Sequence, residues 1–251
     1  MPALLREVPV AGEVPRFEVP GWREKYGLVA GITGRGNPEA PFDLGLWGQE
    51  PVSAVMGRWR ALRNAERCLG ATVLAHQVHG DRVVWHELAF GWTIIDGADG
   101  HATDKSGVML TVTVADCIPV YLAAPNHGGI ALLHAGWRGT AAGILARGVE
   151  MLSSKVRCEA FDIIMHCGVG ISGPEYEVGS EVMDGLGQPR DGEGPWHVDL
   201  RSVLASQGAR LGISDISVSE FCSARDKRQF FSHRKSGGTD GRMVAYLGAV
   251  S

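Results

Sequence analysis

Apolar positions along the chain repeat with two periods. Over residues 52–69, Val55, Trp59, Leu62, Ala65 and Leu69 fall three and four apart, which predicts an amphipathic helix with Gly70 as its stop and an arginine-rich polar face. Residues 72–75 and 83–85 read as short strands flanking the segment HQVHGD, whose Gly80 and Asp81 supply turn chemistry. Residues 107–114, 119–123 and 129–133 are short, Val-, Leu- and Ala-rich runs of the kind buried strands carry, and the last ends at His134. A helix is predicted over about 140–153, where Ile144, Leu145, Val149 and Leu152 repeat at helical spacing. A strand at 161–165, a helix at 179–186, a loose Gly/Pro stretch to Pro195, a helix at 200–211 and a short Ser-rich strand follow. The pattern predicts a mixed α/β fold. With 251 residues and 45% hydrophobic content the chain can bury one large core, so residues 1–251 are expected to form a single domain.

Charge narrows the partners. Lys and Arg total 24 against 28 Asp and Glu, with both signs scattered, so no basic face advertises nucleic acid or a membrane surface; a small-molecule substrate fits better. The first 22 residues carry Arg6, Glu7, Glu13 and Arg16 and hold no apolar block of signal-peptide length, which makes a cytoplasmic protein the expectation. Residues 107–124, the most apolar stretch, are interrupted by Asp116 and Pro119 and suit strands better than a membrane span. Five cysteines without framework spacing point to a reducing compartment, with Cys68 and Cys158 read as small buried or half-buried thiols. A monomer is the default expectation.

Cys117 departs from that reading because of its company. His79, Cys117 and His134 supply two imidazoles and one thiolate, a donor set suited to zinc with a fourth position left for water or substrate. They are too far apart in sequence to form a zinc-finger clip and can meet only if the fold gathers several strand ends. Taken singly, each has a plain alternative: a hydrogen-bonded core histidine or a small apolar cysteine. Each nevertheless sits at the polar end of an apolar strand, where open α/β sheets place ligands.

Several motifs together carry more. HQVHGDRV at 76–83, TVADCIPVYL at 113–122 and HAGWRGT at 134–140 resemble the YfiH family, also called laccase-domain or multicopper polyphenol oxidase proteins. RNAERCLG at 63–70, DGADGHATD at 96–104, PEYEVG at 174–179 and FFSHRKSGGTDGR at 230–242 extend the resemblance over nearly the whole chain. It implies zinc on His79, Cys117 and His134, and a single-domain α/β fold similar to cytotoxic necrotizing factor toxins. It also implies phosphorolysis of purine nucleosides and deamination of adenosine, with guanosine and methylthioadenosine as further substrates. In TGRGNPEAPFDLGLWG at 33–48, Asn37 and Asp43 stand where the family has Gly and Asn, and GVGI at 168–171 lacks the family's proline.

Both reactions need groups beyond the metal. In deamination, zinc lowers the pKa of a bound water toward about 7, and a proton carrier must assist ammonia departure. His76 and Asp116 are the candidates for that role, or they orient the ligands instead. In phosphorolysis an anion must be held while charge develops on the departing purine, and HAGWRGT offers glycines, a following helix and Arg138 for bidentate grip. Arg35 and Gln77 are further expected substrate contacts, Arg234 is another cationic candidate, and His101 and His233 are candidate pocket residues. Trp137 is expected to pack the turn. Rival readings are a cysteine hydrolase with Cys117 as nucleophile and His134 as base, an amidase-type peptidoglycan editing factor, and a zinc-stabilised interaction module with His76 or Asp116 as fourth ligand. A copper polyphenol oxidase fits less well, because multicopper sites need many paired histidines and this sequence has no His-x-His.

Overall fold

The computed structural model describes residues 2–250. Fourteen strands form two seven-stranded mixed sheets. The first sheet runs, in spatial order, Val8–Val10, Arg16–Glu18, Leu28–Thr33, Met243–Ala249, Val108–Val114, Ala71–His76, Trp92–Asp96. The second runs Ala3–Leu5, Asp215–Ser219, Ile164–Cys167, Ile118–Ala124, Gly129–Ala135, Gly100–Thr103, Val83–Trp85.

Side-chain alternation decides how the sheets pack. In Val108–Val114 the even-numbered residues Val108, Leu110, Val112 and Val114 join Tyr121, Ala123, Ile130 and Leu132 of the other sheet in one core cluster between the sheets. The outer face of the first sheet, including Met109, Val244 and Tyr246, is covered by helix Val52–Ala65 through Val55, Trp59 and Leu62. On the outer face of the second, Ile118, Val120, Leu122, Ala131 and Leu133 meet helices Ile144–Val156 and Leu200–Leu211. Helix, sheet, sheet and helices thus make four layers. Central strands are buried on both faces, which is why they read as continuous apolar runs.

Several sequence expectations shift. The helix expected over 140–153 is two, Trp137–Ala142 and Ile144–Val156, parted by Gly143 at φ 90. The strand expected from 161 begins at Ile164, because Ala160–Asp162 forms a 3-10 turn closed by reciprocal Glu159 and Asp162 capping bonds. The first helix ends at Ala65, so Cys68 lies beyond it and is exposed, whereas Cys158 is buried as expected. Leu28–Thr33 and Met243–Ala249, both inner strands of the first sheet, carried no alternation distinct enough to be read from sequence. Among the described residues no helix is long and apolar enough to cross a membrane.

Candidate metal centre

Three connections cross from the first sheet to the second at one end of the molecule: His76 to Val83, Asp96 to Gly100, and Val114 to Ile118. They carry His79, Asp99 and Cys117. His134 lies inside strand Gly129–Ala135 rather than just after it, and shares the parity of Ile130 and Leu132, which face the gap between sheets. Pro119 pairs with His134 across the ladder, so Cys117, two residues before Pro119, falls on the same face beside the imidazole. Two of these crossings hold non-glycine residues in the left-handed region, His79 at φ 61 and Asp116 at φ 89. Gly136 is required by crowding: a Cβ there would stand 3.0 Å from Cys117 Sγ and 3.2 Å from His79 Cδ2. At Gly139 a Cβ would stand 2.7 Å from the Gly80 carbonyl oxygen. The glycines of HAGWRG therefore serve the close approach of the His79 loop.

The ligand atoms of His79, Cys117 and His134 all lie within 4.8 Å of one another. Burial pushes the Cys117 thiol up, but His134 and His79 beside it more than offset this and bring it down to about 6. Burial likewise pushes His134 down, while the Cys117 thiolate and the Asp99 carboxylate raise it to about 9. The donor chemistry, one thiolate and two imidazoles, fits zinc, and the group contains three residues, leaving one tetrahedral position for an exogenous ligand. Neither His76 nor Asp116 joins it, so the fourth protein ligand of a closed site is not among the described residues.

Asp99 organises the set. It is fully buried, and its Oδ1 accepts from His134 Nδ1 at 2.8 Å and from the His79 N–H at 2.9 Å. Oδ2 accepts from the N–H groups of Gly80 at 2.8 Å and Val78 at 3.2 Å. Burial pushes this carboxyl up, but the bond from His134 and the Gly80 and Val78 amides hold it below the usual range. One carboxylate thereby fixes the His79 loop and keeps the proton of His134 on Nδ1, leaving Nε2 to face the donor set. The sequence offered no cue to this role beyond the motif DGADGHATD.

A cleft of about 1120 Å³ opens onto the donor set, and His76, Gln77, Asp116 and Arg138 line it. Asp116 is held on both oxygens, by Ser223 Oγ at 2.6 Å and by the Arg234 N–H at 2.7 Å. His76 Nδ1 lies 3.1 Å from Asp96. Gln77 lines the cleft, and its amide is tied to Thr113: its Oε1 accepts from the N–H and hydroxyl of Thr113, and its Nε2 donates to the Thr113 carbonyl. Arg35 is not in that lining; it pairs with Asp240, which is, and lies 4.6 Å over the Phe231 ring. Arg138 is largely exposed, 4.4 Å over Trp137 and 3.9 Å from Glu181. The helix that begins inside HAGWRGT, Trp137–Ala142, has only six residues. Trp137 lies at the cleft and packs close to Gly185, as expected.

His233 and Arg234 line the cleft, whereas His101 is buried 3.0 Å from His86, and burial with that neighbour pushes it down to about 3. Sequence reasoning singled out neither Trp47 nor Tyr176, both in the lining. Asp43, one of the departures in the N-terminal segment, accepts from the Gly45 and Arg242 N–H groups and so anchors its loop.

Two mixed sheets sheathed by helices, with a His/Cys/His set gathered where the chain crosses between them, define an α/β protein with one three-donor centre. Residues 32–249 match the family described as multi-copper polyphenol oxidoreductase laccase, and the chain belongs to that family. The chain is 34% identical over 247 residues to the Geobacillus stearothermophilus protein named purine nucleoside phosphorylase YlmD, covering 88% of this chain and 90% of that one. It is 37% identical over 180 residues to a Deinococcus radiodurans purine nucleoside phosphorylase, 69% of this chain and 68% of the relative. The crystal structure of YlmD from G. stearothermophilus superposes with a TM-score of 0.86 at 29% identity, covering 98% of this chain and all of that one.

Proposed function

We propose that this chain is a zinc-dependent purine nucleoside phosphorylase that also deaminates adenosine, acting as a single-domain cytoplasmic monomer. The observation that carries the reading is the three-donor set opening onto a cleft that also holds His76 and Arg138. The names of the relatives support the phosphorylase activity. His79, Cys117 and His134 would hold the ion, which supplies Lewis acidity to an oxygen ligand.

In phosphorolysis Arg138 orients a phosphate oxygen toward the ribose C1′; the C1′–O bond forms, the C1′–N9 bond breaks, and the purine leaves with the bonding pair and takes up a proton. His76, its Nδ1 tied to Asp96, delivers that proton from Nε2. In deamination water oxygen bonds to C6, the C6–N bond breaks, and the same imidazole carries the proton that lets ammonia leave. Asp116, held by Ser223 and the Arg234 amide, acts as a positioning residue for the 232–234 turn.

The test is elemental analysis of the protein and of Cys117→Ala, with chromatography of adenosine incubated with and without phosphate. Near-stoichiometric zinc in the parent, lost in the variant, together with adenine, inosine or hypoxanthine formed only by the parent, is the expected result. A second reading rests on the lowered Cys117 thiol beside His134, the arrangement of a cysteine hydrolase. Metal-free protein that retains activity would favour it.

A further inference from the structure

Trp47 is an aromatic side chain left open at the cleft. Trp59, in the helix packed behind it, is completely buried, whereas Trp47 is 51% exposed and lies in the cleft lining. Its loop is nevertheless anchored. Trp59 Nε1 donates to the Leu44 carbonyl, the Leu44 N–H donates to the Arg242 carbonyl, and Asp43 Oδ1 accepts from the Gly45 and Arg242 N–H groups. A fixed backbone thus presents an indole that does not enter the core.

The indole ring centroid is 5.0 Å from that of His76 at an interplanar angle of 37°, and His76 is itself held by Asp96. His76 ends a strand of the first sheet, while Arg138 follows strand Gly129–Ala135 of the second. The donor set sits where the chain crosses between the sheets, and the cleft that opens onto it is lined by aromatic groups, Trp47 and Trp137, and by cationic ones, Arg138, Arg234 and Arg242. A purine nucleoside undergoing phosphorolysis has matching ends: a flat π-system on one side of C1′ and an attacking anion on the other. Indole faces stack on nucleobases, and a bicyclic purine offers more overlap than a pyrimidine.

We infer that Trp47, backed by His76, is the platform on which the purine base stacks and is the residue that favours purine over pyrimidine nucleosides. The inference rests on the nucleoside reading above.

The experiment compares the parent with Trp47→Ala and Trp47→Phe in both reaction directions. In the alanine variant KM for inosine, and for hypoxanthine in reverse, should rise about tenfold, the factor given by a stacking contact of about 1.4 kcal/mol. KM for phosphate and for ribose 1-phosphate, and the zinc content, should stay as in the parent; phenylalanine should recover most of the loss. The preference for inosine over uridine should fall by the same factor in the alanine variant. An unchanged KM for hypoxanthine, an equal rise for all four substrates, or loss of zinc would overturn the assignment. A parent protein that turns over no nucleoside sinks the enzyme reading instead. Calorimetric titration with hypoxanthine then tests the platform alone: tighter binding by the parent than by the alanine variant supports it, and equal binding overturns it.

Discussion

Asp99 shows why a buried carboxylate differs from its isosteric amide. Four donors converge on its two oxygens: His134 Nδ1 and the N–H groups of Val78, His79 and Gly80. Asparagine has one acceptor oxygen, so whichever way the amide turns, its NH2 group meets two donors. Asp99→Asn is expected to lower zinc affinity about 10- to 100-fold and stability by about 2–3 kcal/mol, measured by competition with a chelator and by urea unfolding. Wild-type values for both would remove Asp99 from its organising role. The protonation states of the pair it supports set a second prediction. Cys117, lowered to about 6, stabilises the metal-free fold at high pH and loses this contribution as pH falls through about 6. His134, raised to about 9, stabilises it at low pH and loses the contribution as pH rises through about 9. Between about 6.5 and 9 the two contributions change in opposite directions and offset, so the stability of metal-free protein should be nearly independent of pH across that window. Zinc binding within the window should release one proton, from His134, so that apparent affinity climbs about tenfold per pH unit. Calorimetry in buffers of different ionisation enthalpy reads that proton.

At the level of elements, the short helix Trp137–Ala142 and the longer Ile144–Val156 owe their separation to one residue. Gly143, at φ 90 and with nothing within 4 Å of the point where a Cβ would stand, closes the first helix and opens the second. Gly143→Ala therefore meets no clash but does meet backbone strain, and a loss of about 1–2 kcal/mol is expected, lowering Tm by a few degrees. An unchanged Tm would mean that the two helices can merge without cost. Helical periodicity in 140–153 was legible because Ile144, Leu145, Val149 and Leu152 pack on the second sheet. The break was not, since glycine inside a periodic run is equally compatible with a continuous helix.

For the whole molecule, the donor set spans connections between two sheets that otherwise meet through a largely apolar core, with the Tyr121 hydroxyl donating to the Gly31 carbonyl across it. An ion held there links both sheets and binds the folded state alone. At free zinc about a thousandfold above Kd it should add about 4 kcal/mol, or roughly 8–16 °C in Tm for a chain of this size. Chelation should remove that increment from the parent protein and change nothing in Cys117→Ala, as followed by calorimetry. A parent Tm insensitive to chelation would argue against a metal bridging the sheets.

The local pattern determined the element types of the middle of the chain and the mixed α/β class, because strand parity and helical spacing are properties of near neighbours; the donor triplet was legible only through its ligand chemistry and the motifs around it. Composition offered no cue to a nucleic-acid or membrane partner, and the motif resemblance agrees with the family to which the chain belongs. Tertiary structure decided what depends on crossings between sheets. Asp99 became the organiser because its crossing abuts that of His79; the Gln77 amide meets Thr113 of a neighbouring strand, and Arg35 meets Asp240, 205 residues further along the chain. Trp47 carried no signal of its own in the sequence, and its exposure at the cleft is known only from the fold. Hydrogen-bond partners and exposure depend on which distant segments meet, and no periodicity in the sequence encodes that.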